Sequence, residues 1–440
     1  MGKVVEKVVS ELLAEEAERR ELLGDGQYES RKRRSAIKAV AIMVDRAHAA
    51  WREGHIAGVL LMDIKAAFPS VGMGRLIHTM RGKGMDGDLI RWMASFATDR
   101  TVAMVIEDNA MERHPVEEGI PQGSPVSLIL FAIYTSGLIE LVEEGVFGAE
   151  DLSFAEDVGW VATGNGVNQD VRKLEACARV SLDWAERWEL EFDTANTESA
   201  LFTRRRGHKN YLRPKLTAKT RVGNGFVRFN REATRFLGVW MDVHRTVKKH
   251  HNRCMKKLTA SKARLRSLTG AQGIVPPCVR AVQVACIQAV ALYRSKLWCD
   301  LNKGSWRDDL QLLLNQQARS TWGALPTTLR GTLMRDSGLT PVAVALDASQ
   351  QRFVSRLAST CEGSKAKELY DCPTPGALVG RVAAIEHARS RRTEMMCWPD
   401  PGEKRAVKPI ILEDDAAAKR AAELWERRKE SKAGSSTWTW

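Results

Sequence analysis

The run Gly58-Val-Leu-Leu-Met-Asp-Ile-Lys-Ala-Ala-Phe68 decides the fold of this chain. Residues 58–64 form a short apolar run, which is the pattern of a buried β-strand. Asp63 lies at the end of that run. Because burying a carboxylate costs free energy unless another group pairs with it, the stretch predicts a strand that ends on an acid in need of a partner.

A second acidic segment, Ser153-Phe-Ala-Glu-Asp-Val-Gly159, lies within residues 152–162, whose pattern indicates a strand, a tight turn and a second strand. Glu156 and Asp157 are expected at the turn. Phosphoryl transfer needs carboxylates that hold two hard cations about 3.5–4 Å apart, where they clamp the attacking and leaving oxygens. Asp63, Glu156 and Asp157 are therefore candidate catalytic metal ligands. By composition alone, solvated turn acids are the simpler interpretation.

The composition predicts a globular protein with a polyanionic partner. The chain has 440 residues, of which 44% are hydrophobic and 28% are charged, so packed cores are expected rather than disorder. The formal net charge of +13 favours polyanions, nucleic acid first. A basic soluble protein without such a partner is the alternative.

The cysteines and the apolar stretches exclude several classes of protein. None of the eight cysteines forms a C-x-x-C pair or a zinc-site spacing with histidine, so we expect reduced, mostly buried thiols of an intracellular protein. The N-terminus has no signal-peptide core. Residues 278–292 are the most apolar stretch, and because Arg280, Gln283 and Gln288 interrupt it, we expect a core helix and no membrane span.

Helical periodicity alternates with strand and turn signals along the first 240 residues. A hairpin is expected over residues 101–118, with its turn at Asp108-Asn109. Strands and loops are expected over residues 191–240, and helices over most of residues 243–345. Residues 346–398 have a mixed pattern, and 412–432 form a charged helical tail. The other predicted helices cover residues 3–23, 36–53, 74–82, 87–99, 128–142 and 168–190.

Five sequence blocks are weak singly but highly specific in their common order. With these blocks the chain resembles the reverse transcriptases of non-LTR (LINE-like) retrotransposons, most closely those of fungal elements, from residue 27 to about residue 240. The blocks are Leu60-Leu-Met-Asp-Ile-Lys-Ala-Ala-Phe68, Gly119-Ile-Pro-Gln-Gly-Ser-Pro-Val-Ser127, Phe154-Ala-Glu-Asp157, Glu191-Phe-Asp-Thr-Ala-Asn-Thr-Glu198 and Arg235-Phe-Leu-Gly-Val-Trp240. Their number argues against a basic structural protein with a chance motif.

The resemblance implies an α+β right-hand polymerase. Residues 1–62 would be a partial fingers unit, and residues 63–242 a palm with a small antiparallel sheet. Residues 243–345 would form a basic helical thumb, followed by a connection-like region and charged tail over 346–440. The implied activity is RNA-directed DNA synthesis in the nucleus with two Mg²⁺ or Mn²⁺ ions. The partners would be an RNA template, a DNA primer and deoxynucleoside triphosphates, whereas oligomeric state is left open.

By the same resemblance, Asp63, Glu156 and Asp157 would bind the metal ions, and other positions would bind the nucleotide. Phe68, five residues after Asp63, would be the ring that excludes a ribose 2′-OH, although a core phenylalanine is the simpler interpretation. Gln122 would contact nucleotide and template, and Gly123 would permit close backbone approach. Asn196 is the fourth residue that the resemblance predicts to bind the nucleotide.

Basic residues without neighbouring acids predict the nucleic-acid surface. Between Asp242 and Asp300 the chain has twelve Lys and Arg residues and no acid, where a solvated helix face would mix both signs. A second acid-free span covers residues 200–231. The predicted contacts on the thumb are Lys248, Lys249, Arg253, Lys256 and Lys257, and those in the fingers are Arg31, Arg33 and Arg34. A merely solvated helix face is the alternative for the thumb.

Four departures from the family pattern predict an impaired copy. Glu156 replaces an aspartate, and its extra methylene moves the carboxylate by about 1.5 Å, where a 1 Å misplacement can cost about 100-fold in rate. Asn196 replaces a lysine near the leaving pyrophosphate and cannot act as a cationic acid. Leu128 replaces a proline, and Glu29 replaces a glycine in a loop expected to face the template.

The resemblance also implies an N-terminally truncated copy. The chain begins after the family's first fingers block, and the upstream endonuclease and downstream ribonuclease H are absent from it. A catalytically inactive nucleic-acid-binding relic is therefore the alternative function.

Overall fold

The structure is a computed structural model, and it describes a single compact part of the chain. The described residues are 2–372 except 107–108, 111, 117, 205–214, 221–222, 230–232, 244–247, 266–274, 294, 299–303 and 361–363. All of them belong to one compact unit, Met1–His387.

Helices and short strands alternate along these residues. The helices are α1 (Gly2–Arg19), α2 (Ala36–Arg52), α3 (Met73–Gly82), α4 (Gly87–Ala97), α5 (Ser127–Gly145), α6 (Val167–Arg187), α7 (Lys248–Leu265), α8 (Pro276–Gln283), α9 (Ala289–Leu292), α10 (Ser295–Trp298), α11 (Gly304–Trp322), α12 (Arg330–Ser337), α13 (Val342–Ala358) and α14 (Lys365–Asp371). The strands are β1 (Ile56–Asp63), β2 (Thr101–Val102), β3 (Val105–Ile106), β4 (Asn109–Ala110), β5 (His114–Pro115), β6 (Ala149–Asp151), β7 (Asp157–Gly164), β8 (Glu198–Phe202), β9 (Lys215–Thr220), β10 (Gly223–Arg228), β11 (Thr234–Phe236) and β12 (Val239–Met241).

A four-stranded antiparallel sheet in the order β6-β7-β1-β8 lies at the centre, with β1 as an inner strand. The predicted strand over residues 58–64 and the predicted strand–turn–strand over 152–162 are both confirmed. Helices cover both faces of this sheet, which explains why β1 is a continuous apolar run instead of an alternating one. The α+β class with a small antiparallel sheet is thus confirmed.

Alternate residues of β1 face two different hydrophobic cores, as the two-residue repeat of a strand requires. Leu60 and Met62 lie in the first core, which includes residues of α1 and α3–α6. Ala57 and Val59 lie in the second core, which includes residues of α2, α13 and α14. The sheet is therefore held rigidly from both sides, which fixes the position of Asp63 at its end.

The C-terminal helices form a third core, and α13 connects it to the second. Leu258 of α7, Leu314 of α11 and Leu346 of α13 are buried in the third core. Farther along α13, Phe353 and Leu357 are buried in the second core. The mixed pattern after residue 346 therefore contains a helix that packs on both the sheet and the helical region. The division at residues 62, 242 and 345 stays a prediction.

Three expectations need correction. Residues 278–292 form α8, a π-helical turn and α9, but only one side of this segment is buried. Among the described cysteines, Cys177 and Cys254 are buried, whereas Cys278, Cys286 and Cys372 are exposed, contrary to the expectation of buried thiols at those three positions. Asn109 pairs with Ile106, so Asn109 lies in a strand of the hairpin and not in its turn, while residues 107–108 lie outside the described residues. No described helix is long and apolar enough to cross a membrane.

Candidate active site and nucleic-acid interface

The register of β1 and β7 brings the predicted carboxylates to one end of the central sheet. Asp63 lies directly opposite Asp157 in the antiparallel pair, and opposite residues have Cα atoms about 4.5–5.5 Å apart. The N–H of Ile64 donates to the carbonyl oxygen of Glu156 at 3.3 Å. Residues 63, 156 and 157 are therefore neighbours, although more than ninety residues separate Asp63 from the other two.

Both turns that carry these acids contain an alanine in the left-handed region. Ala66 has φ +45° and Ala155 has φ +54°. The turn at Ala155 is closed by two backbone hydrogen bonds between Phe154 and Asp157, at 2.8 and 3.1 Å. A left-handed residue other than glycine costs roughly 1–3 kcal/mol and is common at functional sites. The surrounding structure therefore holds the backbone next to the acids in a strained conformation.

The acids at this end of the sheet repel one another. The pKa of Asp63 is raised, chiefly by burial and to a smaller extent by the negative charge of Asp193. Burial, and then the charge of Asp63, raises the pKa of Glu156. The nearby Lys65 ammonium is paired with Glu191 at 2.8 Å. Among the described residues no cationic side chain therefore neutralises Asp63 or Glu156, and a positive ion between them would be stabilised.

The donor atoms at this end of the sheet fit a hard divalent cation, since such ions prefer carboxylate oxygens. Within the described residues, however, no three His, Cys, Asp or Glu side chains are arranged around one metal position. The chemistry of the site thus fits Mg²⁺ or Mn²⁺, whereas a complete ligand set is not assembled.

Asp193 is a residue of this site that the sequence interpretation missed. Its N–H donates to the carbonyl oxygen of Asp63 at 2.7 Å. Its carboxylate accepts hydrogen bonds from the N–H of Ala195 at 2.9 Å and from the side-chain amide of Asn196 at 2.8 Å. Asn196 is exposed and its amide is already bound to Asp193. An aspartate that bonds the N–H two residues later is a recognisable turn signal, and it was available in the sequence.

The loop with Gln122 and Gly123 is anchored to the segment that follows Asp63. The N–H of Ile120 donates to the carbonyl oxygen of Phe68 at 2.8 Å. Gln122 and Gly123 are exposed, and a Cβ added at Gly123 would meet no atom within 4 Å. Gly123 has φ +85°, so its backbone conformation is what favours glycine. Open space in front of this loop leaves room for a ligand.

Phe68 lies in the first core and not on the surface of the site. Its side chain is 7% exposed, and its ring packs on that of Phe131 with centroids 5.2 Å apart. The structure agrees with the simpler interpretation of a core phenylalanine. The role in excluding a 2′-OH stays a prediction.

The fingers cluster is largely structural, which corrects the expectation for Arg31. The Arg31 side chain is 5% exposed and is paired with Glu18. Arg34 is 11% exposed, pairs with Asp25 at 2.7 Å and lies over the ring of Tyr28. Because both guanidinium groups are buried in intramolecular contacts, they are not displayed to a phosphate. Arg33 is exposed and keeps its predicted role.

Two departures from the family pattern meet in one small pocket. Glu29 and Leu128 both line it, together with Ala155 of the acidic turn. Burial raises the pKa of the Glu29 carboxyl. Glu29 is thus partly buried beside the acidic turn, and its position facing the template stays a prediction.

A basic groove of about 800 Å³ runs along α7. None of its described lining residues is acidic. Arg253 lies 3.4 Å above the ring centroid of Trp240, and Lys256 and Lys257 are exposed on the same helix. Lys248 is also exposed, whereas Lys249 is half-buried. The lining residues are Arg235, Gly238, Trp240, His250, Arg253, Cys254, Lys256, Lys257, Ala289, Val290 and Tyr293.

The two sides of α7 explain its sequence. His250, Cys254 and Leu258 are buried, with His250 and Cys254 at the floor of the groove, while Arg253, Lys256 and Lys257 are exposed along it. The positive charge of the groove suits a nucleic-acid backbone, and the exposed ring of Tyr293 suits the stacking of a base. Within the second acid-free span, residues 200–231, residues 205–214, 221–222 and 230–231 lie outside the described residues.

Comparison with known proteins identifies relatives for most of the chain. The family model described as "Reverse transcriptase (RNA-dependent DNA polymerase)" matches residues 1–241. A probable RNA-directed DNA polymerase from transposon X-element of Drosophila melanogaster is 21% identical over 362 residues, which are 81% of this chain and 38% of that protein. The RNA-directed DNA polymerase from mobile element jockey of the same species is 20% identical, over 60% of this chain and 28% of its own length.

Two further likenesses complete the comparison. A retrovirus-related Pol polyprotein from type-1 retrotransposable element R2 of Popillia japonica is 26% identical over 114 residues, 24% of this chain and 19% of that protein. The chain therefore spans between 19% and 38% of the length of these three relatives. The solved structure of apo telomerase from Candida tropicalis aligns with a TM-score of 0.43 and 11% sequence identity. The alignment covers 90% of this chain and 59% of the telomerase chain.

Proposed function

Because the chain belongs to the reverse transcriptase (RNA-dependent DNA polymerase) family, we propose that it performs RNA-directed DNA synthesis for a non-LTR retrotransposon. The observation that supports this most directly is the β1–β7 register, which sets Asp63 opposite Asp157. We also propose that the element is fungal and that the protein acts in the nucleus. The fungal origin is supported by the five sequence blocks alone.

In the proposed reaction, the 3′-OH of a DNA primer attacks the α-phosphate of a deoxynucleoside triphosphate paired with an RNA template, and pyrophosphate leaves. Two divalent cations, when bound, would neutralise the charge that develops on the transferred group. Asp63, Asp157 and Glu156 would hold them. The strained turns at Ala66 and Ala155 orient these acids before substrate arrives, so less ordering is required during the reaction.

The chain's other residues would bind and orient the nucleotide. The exposed loop at Gln122 and Gly123 presents polar groups toward open space. Asn196 could donate a hydrogen bond to the leaving pyrophosphate, but it has no proton to give as an acid. One N–H of its amide donates to Asp193 at 2.8 Å, and the second N–H of that group is the one that could reach the pyrophosphate.

The groove along α7 would hold the template–primer duplex through its backbone. Arg253, Lys256 and Lys257 would contact phosphates, and such contacts position a duplex without reading its sequence. Trp240 orients Arg253 through a cation–π contact. Binding should therefore be sequence-independent and should weaken steeply with salt.

A catalytically inactive nucleic-acid-binding protein is the second candidate. One observation favours it: no set of three acidic or histidine ligands is assembled in the described residues. This candidate keeps the α7 groove and its partners but has no turnover.

A primer-extension assay on an RNA template, with Mg²⁺ or with Mn²⁺, tests the proposal. Extension that is abolished by Asp63→Asn would support the polymerase. Duplex binding without any extension, under either metal and in both the wild type and the Glu156→Asp, Asn196→Lys variant, would support the inactive binding protein instead.

A further inference from the structure

We propose that Glu6 and Ser10 of α1 are positioning residues for the loop that carries Gln122. The inference rests on the proposed function, in which this loop contacts the incoming nucleotide. Neither residue belongs to any of the five sequence blocks. They bind the end of the loop that follows Gln122, whereas Phe68 binds the end that precedes it.

Two hydrogen bonds connect α1 to the loop across more than a hundred residues of sequence. The hydroxyl of Ser124 donates to Glu6 Oε2 at 2.6 Å. The hydroxyl of Ser10 donates to the carbonyl oxygen of Pro125 at 3.0 Å. Ser10 and Ser124 are both 8% exposed and Glu6 is half-buried, so water has limited access to both hydroxyl groups. The bond to Glu6 is charge-assisted and is the stronger kind.

Side chains supplement two backbone hydrogen bonds within the loop, from the N–H of Ser124 to the carbonyl oxygen of Pro121 at 3.2 Å and from the N–H of Ser127 to that of Ser124 at 3.3 Å. Pro121 and Pro125 have no N–H, which removes two donors from a short segment. The carbonyl oxygen of Pro121 accepts from the Ser127 hydroxyl at 2.8 Å, and that of Pro125 accepts from Ser10. The Ser124 hydroxyl, while donating to Glu6, also accepts from the N–H of Val126 at 3.3 Å. Serine hydroxyls therefore hold both proline carbonyls.

The loop is thus held at its two ends while its middle is left open. At one end, Ile120 is bonded to the carbonyl oxygen of Phe68. At the other, Ser124 and Pro125 are bonded to α1. Gln122 and Gly123 lie between the two anchors and are exposed. Loss of the α1 anchor would free the loop at the end next to Gln122.

Helix α1 can serve as an anchor because it is itself fixed. Val9 and Leu13 are buried in the first core. Farther along the helix, Glu18 is paired with the buried Arg31, at 2.8 Å between Oε2 and Nη2. The basic residue expected to contact nucleic acid is thus part of the structure that holds α1 in place.

Amide hydrogen exchange in the loop tests the anchor without requiring activity. In the full chain, Glu6→Ala and Ser10→Ala should each speed exchange of amides in residues 122–127. Glu6→Gln keeps an acceptor oxygen and should restore much of the protection. Glu11→Ala is the matched control, since Glu11 lies on the same helix and pairs with the exposed Lys7 at 3.4 Å. Unchanged exchange in both alanine variants, or equal loosening by Glu11→Ala, overturns the inference.

Steady-state kinetics test whether the anchor on α1 contributes to nucleotide binding. In the Glu156→Asp, Asn196→Lys background, Glu6→Ala should raise the KM for deoxynucleotides roughly tenfold, the effect of losing one strong hydrogen bond. It should change kcat much less, and Glu6→Gln should be intermediate. A loosened loop with unchanged KM would mean that Glu6 is only structural. If this background extends no primer, the proposed function fails, while the exchange result still decides the anchor.

Discussion

Replacing Arg31 by alanine distinguishes a structural arginine from one that binds nucleic acid. Arg31 Nη2 donates to Glu18 at 2.8 Å, and Nη1 donates to the carbonyl oxygens of Gly24 at 2.6 Å and Gln27 at 3.3 Å. The alanine variant removes these three hydrogen bonds, a second bond to Glu18 through Nε, and a bond from Nη1 to the carbonyl oxygen of Leu23 at 3.4 Å. It leaves three carbonyl groups without this partner in a site where the Arg31 side chain is 5% exposed.

The expected loss of stability follows from these contacts. Removing one partner of a buried ion pair costs about 3–5 kcal/mol, because the other charge is left unpaired. The Glu18 side chain is 35% exposed and can regain water. We therefore expect the low end of that range, about 3 kcal/mol less free energy of unfolding for Arg31→Ala. Arg33→Ala changes an exposed side chain and should stay within about 0.5 kcal/mol of the wild type.

Urea unfolding monitored by circular dichroism measures the difference, and fluorescence anisotropy measures duplex binding by the folded variants. Arg31→Ala should lower the unfolding midpoint and leave the dissociation constant unchanged at low urea. A variant with wild-type stability and weaker binding would show that Arg31 contacts nucleic acid, and the structural argument would be refuted.

Three further predictions concern charge, catalysis and pH. Reversing Lys256 and Lys257 to glutamate should weaken duplex binding for every sequence, and lower the salt slope by about 0.9 for each phosphate that the protein no longer neutralises. Glu156→Asp with Asn196→Lys should raise the rate of primer extension, because it shortens a ligand arm and restores a cationic acid. Burial raises the pKa of Asp151 to about 7, so the folded state holds a proton that the unfolded state releases near pH 4. Stability should therefore fall as pH rises from about 4 to 7, and Asp151→Asn should remove that part of the fall.

Each of these predictions has its own control. For the salt slope, Lys3→Glu with Lys7→Glu makes the same charge change on exposed residues of α1, and an equal effect would mean that only net charge matters. For extension, equal rates in the wild type and the double variant would show that both substitutions are tolerated. For Asp151, urea midpoints at pH 4, 6 and 8 that keep the wild-type dependence in Asp151→Asn would assign it to other groups.

Local patterns were enough to predict the elements that carry the acids. The apolar run before Asp63 predicts a strand because a strand buried on both faces needs apolar side chains in both directions. The segment around Glu156 predicts a hairpin because two short runs flank a polar turn. Neither pattern predicts that these two elements are neighbours. That expectation came from the resemblance of the five blocks to a known family.

The roles of individual basic and aromatic residues were harder to predict. Arg31 and Arg33 belong to the same short cluster, yet one is buried and paired while the other is exposed. A count of charges along the chain cannot distinguish them, because the partner of Arg31 is Glu18 on a different element. Phe68 poses the same difficulty, since its contact with Phe131 joins segments that are distant in sequence.

The sequence by itself determined the class of fold, the acidic strand end and turn, and the basic character of α7, since each depends on residues close together in the chain. The tertiary structure alone decided the register that sets Asp63 opposite Asp157, that Asp193 lies beside them, and that α1 holds the loop of Gln122. These features depend on register and on hydrogen bonds between distant segments. Such contacts are set by how helices and strands pack, and the packing involves side chains that no local window contains.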